Sequence, residues 1–409
     1  MGEPAAVRGL AYRGRSERPE LRAEAEARGL VLPGTTGRAC LGTALPAVAG
    51  AVTSALGLAA DPEWVAAAEL LAVPAASRVC VVLVDGLGHR NLLERSGHAP
   101  FLRRLAADST PLTSTFPSTT ATAMGTFGTG TSPGRTAMLG YTVRVPQTGA
   151  LGNLVSWTDL PDPERWQPHP TVLEGLVAAG VSVTSVGPSR FSGSGLTRAA
   201  LRGPTYRDAE SLAARVDGAL AALREPGVAY LYWGDVDKAG HQHGWGSWQW
   251  GDALEAMDAE LGRLARSLPR DALLVVTADH GMVDVDPAAR WDVAHDEALR
   301  RGVALVAGEP RALHLHLEPG VDGDDVVDRW RDVLGDAALV VTRDEAVAAG
   351  LFGPLDERVA PVIGDVVVAT TGRATIADSR TQTAASLQLV GVHGSLTPHE
   401  MLVPWILAG

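Results

Sequence analysis

Apolar residues along this chain fall into two recurring patterns. Short, nearly unbroken runs stand at 78–85 (RVCVVLVD), 181–187 (VSVTSVG), 228–233 (VAYLYW) and 272–279 (ALLVVTAD). Runs of this length without polar alternation predict parallel strands covered on both faces. Between them, apolar residues recur every three to four positions at 98–109, 171–180, 207–224 and 247–267, which predicts helices. Repeated strand–helix–strand alternation predicts an α/β fold, a central mostly parallel sheet with helices on both faces. The rhythm changes between about 283 and 380, where ALHLHLEPG, VDGDDVVDRWRDVLG, AALVVTRDEAVAAGLFG and IGDVVVATTG predict a small α+β insertion. The core is expected to comprise 76–282 and 381–409. Residues 1–75 read as a polar, Arg- and Glu-rich arm followed by a helical extension, with Asp61 as a candidate N-cap before Pro62.

The polar residues that end the apolar runs carry the chemistry. Asp85 closes VVLVDGLG, Asp237 and His241 lie in DKAGH after VAYLYWGDV, Asp279 and His280 close LLVVTADHG, and His393 follows SLQLV in GVHGS. Leaving such groups unpaired at the ends of buried strands costs several kcal/mol, so four such ends suggest one shared site. Asp237 and His241 are four apart, and one helical turn puts both on one face. Three Asp and three His without thiolates suit a two-metal centre of the zinc type. Taken one at a time, each has a plainer explanation: a helix cap for Asp85, a surface turn for DKAGH, a lone core histidine for His393.

The Thr-rich segment 112–130, LTSTFPSTTATAMGTFGTG, offers a nucleophile. A hydroxyl at a strand-to-helix turn lies where helix N–H groups favour an anion, although ordinary Ser/Thr capping produces the same composition. His314 and His316 alternate with Leu and are expected to be half-exposed on one strand face. Trp245, Trp248 and Trp250 are expected to pack beneath a loop rather than line a pocket.

Composition narrows the partners. The 409 residues carry a formal charge of −12, which argues against a nucleic acid duplex or an anionic membrane as partner. No apolar run reaches the length of a membrane helix, and the N-terminal stretch has no secretory-type apolar core. Cys40 and Cys80 are unclustered and form no disulfide framework. A cytoplasmic protein is expected.

The order Asp85, threonine-rich turn, DKAGH, ADHG, HG resembles the alkaline phosphatase superfamily, and within it the nucleotide pyrophosphatase/phosphodiesterase (type I phosphodiesterase) branch, over roughly residues 77–409. The resemblance implies an alkaline phosphatase-like fold and two Zn²⁺, with Mn²⁺ as the alternative. It assigns Asp237, His241 and His393 to one metal and Asp85, Asp279 and His280 to the other. It implies in-line attack by a threonine on phosphorus, then hydrolysis of the phospho-enzyme by a metal-activated water. TFP at 115–117 resembles the branch's TFPN and suggests Thr115. Counting back ten residues from Gly130 gives Thr120, which is preferred because a helix beginning at the nucleophile fixes that count. Ser118 replaces the branch's Asn, so the non-bridging phosphate oxygen falls to a backbone N–H, Ser118 or Asn153. The monoesterases' arginine has no clear match; Arg135 lies in a loop. The expected substrate is a small phosphorylated molecule, a nucleotide among the candidates, with diester or pyrophosphate hydrolysis as the expected activity. A phosphomonoesterase, another phosphoryl or sulfuryl transferase of the same fold, and a non-catalytic metal-binding homologue are the alternatives.

Overall fold

The computed structural model describes residues 19–33, 44–58, 62–107 and 109–409. Its centre is a six-stranded sheet in the order Ile406–Ala408, Ala272–Thr277, Arg78–Val84, Gly227–Trp233, Val183–Gly187, Thr205–Asp208. All neighbours are parallel except the C-terminal edge strand, which runs antiparallel. The three central strands are almost wholly buried, as their unbroken apolar runs require. Helices Leu212–Ala222, Trp248–Ser267 and Pro100–Ala106 pack together, as do Ala47–Ala55, Thr120–Thr129 and Val172–Ala178. The expected α/β class is therefore the observed one.

A second six-stranded sheet runs Ala338–Thr342, Val366–Thr370, Ala312–Leu317, Val303–Glu309, Thr142–Arg144, Leu151–Asn153. The last two strands come from within 76–282, so this sheet draws on chain outside the stretch read as an insertion. The helix Gly323–Leu334 covers one face with its own small core around Trp330.

Several local expectations shift. The helix read from 207 begins at Leu212, because Ser211 caps it and 205–208 pairs as an edge strand. His314 and His316 are buried, at 1% and 4% exposure, not half-exposed. Their strand is central in the second sheet, and its His314 side is covered by Phe352 and by Gly364, whose N–H donates to His314 Nδ1 at 3.1 Å. Part of the polar arm is docked: Leu21, Ala25 and Leu30 are buried, and the Val31 N–H donates to the Leu396 carbonyl at 2.7 Å. Asp61 and Cys40 lie outside the described residues. Trp250 is fully buried with Trp245 packed edge-on at 6.4 Å, while Trp248 is exposed.

Candidate active site

Parallel strands deliver the candidate ligands to one end of the main sheet. Asp85 follows Arg78–Val84, and its N–H is held by the Trp233 carbonyl at 2.8 Å. Asp279 and His280 follow Ala272–Thr277 on the adjacent strand. Gly227–Trp233, the neighbour on the other side, leads into the helix Asp235–His243, which carries Asp237 and His241. His393 arrives on a short strand, Gly391–Val392, paired with Val283–Asp284.

Two glycines allow these pieces to meet. Gly86 sits at φ 72° directly under Asp237, where a Cβ would come within 2.9 Å of the Asp237 backbone. Only glycine combines that backbone with that proximity. Gly391 lies against Gly240, and a Cβ there would stand 2.5 Å from the Gly240 carbonyl oxygen. The helix therefore sits flush against the strand that brings His393.

All six side chains converge. His280 Nε2 lies 3.4 Å from Asp85 Oδ1 and 3.6 Å from Asp279 Oδ2. His241 Nε2 lies 3.4 Å from Asp237 Oδ2, and His393 Nε2 lies 3.9 Å from Asp237 Oδ1. Two groups have ligand atoms mutually within 4.8 Å: Asp237, His241, His393, and Asp85, Asp237, His280. Asp237 thus belongs to both.

The hydrogen bonds around the three imidazoles fix their tautomers. Nδ1 of His241, His280 and His393 faces the carbonyl of Gly391 (2.7 Å), Gly281 (3.0 Å) and Ser118 (3.0 Å) respectively. A carbonyl only accepts, so each Nδ1 carries the proton and each Nε2 presents a lone pair inward. This is the usual arrangement of metal-binding histidines. Asp85 Oδ1, Asp237 Oδ1 and Asp279 Oδ2 are buried with no hydrogen-bond partner. Buried carboxylate oxygens are rarely left so, and three of them beside three inward lone pairs fit a pair of divalent cations.

The electrostatics agree. Burial, then the neighbouring Asp279 and Asp237, hold Asp85 well above the usual carboxylate range; burial pushes Asp279 up to about 7. Burial and the flanking His280 and His241 hold His393 well below the ordinary imidazole value. So many acids in one dry pocket repel one another until a cation is among them.

Thr120 is the first residue of the helix Thr120–Thr129, and its Oγ1 stands 3.2 Å from His280 Nε2. The Thr115 hydroxyl is turned away, donating to the Pro117 carbonyl at 3.0 Å. Ser118 donates to the Ser395 carbonyl at 2.6 Å, and Asn153 Oδ1 accepts from the N–H groups of Val155 and Ser156 in a local turn. Arg135 is half-exposed, 4.0 Å from Asp356.

Sequence reasoning missed three participants. Tyr232 donates its hydroxyl to the second oxygen of Asp85; its place near the end of the strand adjoining Asp85's was the available signal. Glu309 is buried beside Gly394, and Arg311 forms a buried bidentate pair with Glu400 at 2.8 and 2.7 Å. Nothing local distinguishes either residue, because both contacts span the two sheets.

The family model described as type I phosphodiesterase/nucleotide pyrophosphatase matches residues 79–396. The chain belongs to that family. The resemblance read from the order Asp85, threonine-rich turn, DKAGH, ADHG, HG is thereby borne out. The phosphopentomutase of Anaeromyxobacter dehalogenans is 33% identical over 158 residues, 37% of either chain. Human ectonucleotide pyrophosphatase/phosphodiesterase family member 7 is 28% identical over 156 residues, 36% of this chain and 33% of that one. The chain thus spans between a third and two fifths of the length of the curated relatives it matches. Murine ectonucleotide pyrophosphatase/phosphodiesterase 5 shares the fold with a TM-score of 0.63 at 17% identity, covering 81% of this chain and 88% of that one. An inactive threonine-to-alanine form of the murine protein has been solved with AMP. Phosphonoacetate hydrolase from Sinorhizobium meliloti gives a TM-score of 0.62 at 22% identity, covering 80% and 89%. No helix among the described residues is long and apolar enough to cross a membrane.

Proposed function

We propose that this protein is a metal-dependent hydrolase of phosphodiester or nucleotide pyrophosphate bonds, with Thr120 as nucleophile. The reading places one divalent cation on Asp237, His241 and His393 and another on Asp85, Asp279 and His280. Zinc is the first candidate for a set of imidazoles and carboxylates, and manganese the alternative. The observation that carries the proposal is the Thr120 hydroxyl, 3.2 Å from an inward imidazole nitrogen and at the rim of three unpartnered carboxylate oxygens. Bound cations would supply electrophilic stabilisation of the phosphoryl oxygens and a lowered pKa for the hydroxyl.

The chain's own groups account for the remaining requirements. Thr119, the N-cap of the Thr120–Thr129 helix, makes no side-chain capping bond. The first-turn N–H groups of that helix have no intrahelical acceptor and point toward its N-terminal end. This reading assigns them to a non-bridging phosphate oxygen, since the Ser118 hydroxyl already donates to the Ser395 carbonyl and Asn153 is held in a local turn through its Oδ1. The helix macrodipole favours the same charge. The murine relative's AMP complex, with its inactive threonine-to-alanine form, supports a nucleotide-type substrate and a threonine in the nucleophile's role. A cytoplasmic setting belongs to the same reading, on a composition of two cysteines in 409 residues.

The similarity to phosphopentomutases favours one rival, transfer or hydrolysis of a phosphomonoester. Turnover of bis-p-nitrophenyl phosphate against p-nitrophenyl phosphate by zinc- and manganese-loaded protein separates the two. The diesterase reading expects the diester to be preferred, and a strong monoester preference defeats it. In parallel, Thr120→Ala is expected to lower turnover by roughly three orders of magnitude with metal content unchanged. Full activity in Thr120→Ala, with loss in Thr115→Ala, moves the nucleophile.

A further inference from the structure

Away from the metal ligands, the second sheet bears an open cavity of about 590 Å³ whose lining includes Arg144, His316, Arg343, Asp365, Leu305 and Pro361. It shares no residue with the site described above. Its polar groups are unevenly satisfied. Both Asp365 oxygens are partnered: one accepts from Arg343 at 2.5 Å and the other from the Leu317 N–H at 2.8 Å. Arg343 also donates to the Ile363 carbonyl at 3.1 Å, so this pair is internally neutral and fixed. Arg144 ends its strand half-buried, and its guanidinium makes no hydrogen bond or ion pair to any described residue. His316 is 4% exposed, and its Nε2 is buried without a partner. Burial and the two arginines push this imidazole down to about 3, so it is neutral.

The cavity thus offers one uncompensated guanidinium, one neutral imidazole lacking a partner, and walls that are otherwise largely apolar. The geometry points to a second ligand site for a small organic carboxylate, its anionic group on Arg144 and His316 and its apolar body against Leu305 and Pro361. A guanidinium fork matches two coplanar carboxylate oxygens. One unmatched positive charge balances a monoanion, whereas a phosphate dianion would leave a charge unmet in a partly desolvated pocket.

Equilibrium dialysis of the metal-loaded full chain against radiolabelled benzoate tests this, with phenylphosphonate as the second probe. Saturable benzoate binding is expected, weakened roughly tenfold or more in Arg144→Gln and in His316→Phe, and unchanged in Thr120→Ala. Arg144 is half-exposed and its replacement leaves the sheet's core intact, so that variant keeps the test decisive if His316→Phe folds poorly. Equal benzoate binding by wild type and Arg144→Gln overturns the assignment, as does loss in Thr120→Ala alone. Phenylphosphonate binding that depends on Arg144, without benzoate binding, overturns the carboxylate assignment in favour of a phosphoryl ligand.

Discussion

Two buried polar clusters lie near each other in this molecule and have opposite character. The ion pair of Arg311 and Glu400 is fully buried, and its partners are supplied from within the chain. Glu400 accepts twice from Arg311, from the Ser395 N–H at 2.9 Å and from the Thr397 hydroxyl; Arg311 also donates to the Ala374 carbonyl at 2.6 Å. The cluster at the strand ends has carboxylates in excess of donors, three orphaned oxygens, and imidazoles whose lone pairs all face inward. A buried charge completed by its own chain is architecture. A buried charge left incomplete needs a group from outside, and here the donor chemistry names a cation.

The two clusters are also connected. Ser395 donates to the Thr370 carbonyl at 2.6 Å and accepts from Ser118, whose carbonyl holds His393 Nδ1. The pin between the sheets therefore sets the strand that aims one candidate metal ligand.

Breaking the incomplete cluster should have the largest effect. Asp237 lies within reach of both ligand groups, so Asp237→Asn is expected to release the cation shared with His241 and His393, weaken the other, and reduce turnover by roughly four orders of magnitude. Elemental analysis and diesterase assays read this, and retention of full metal stoichiometry contradicts the shared role. Thermal stability of the chelator-treated variant should equal or exceed that of chelator-treated wild type, because one member of a mutually repelling set has been neutralised.

The complete cluster should respond in the opposite sense. Arg311→Met strands Glu400 in the interior and is expected to cost about 3–5 kcal/mol of stability, with or without metal. Replacing both residues by Met should recover part of that, since no lone buried charge remains. Denaturant unfolding measures both. A single variant as stable as wild type would show the pair to be dispensable. The link through Ser395 and Ser118 further predicts weaker retention of the cation on His393 than of the one on Asp85.

These differences explain what could be read from the chain alone. The main sheet was legible because its central strands are unbroken apolar runs, and the meeting of the six candidate ligands because they close such runs or open the next helix. The helix start at Thr120 was legible through the count back from Gly130. The second sheet was only partly so: Thr142–Arg144 and Leu151–Asn153 are three residues each, too short for any periodicity. His314 and His316 misled because alternation with Leu predicts one wet face, whereas His314 packs against Phe352 and His316, though it borders a cavity, is only 4% exposed. Arg311–Glu400 spans 89 positions, and nothing in either local sequence announces the partner.

Glu309 sharpens the comparison because it belongs to neither class. It is buried, both its oxygens lack hydrogen-bond partners, and it stands beside Gly394, one residue after His393. Burial raises its carboxyl to about 8, with Glu400 adding to the rise and the Thr119 hydroxyl opposing it. The sign of the consequence follows from linkage. A carboxyl whose folded pKa lies above its unfolded value near 4.5 favours the folded state fully at low pH, and that contribution is lost as pH rises through about 8. Glutamine does not titrate. Glu309→Gln should therefore match wild type in stability near pH 4.5 and gain on it progressively toward pH 8, by up to about 5 kcal/mol. Melting curves of both proteins across that range read the difference directly. A constant offset at every pH would mean that the carboxyl keeps the same pKa in the folded and unfolded chain, and an offset that shrinks toward alkaline pH would mean that it is already an ion, held by a partner of its own.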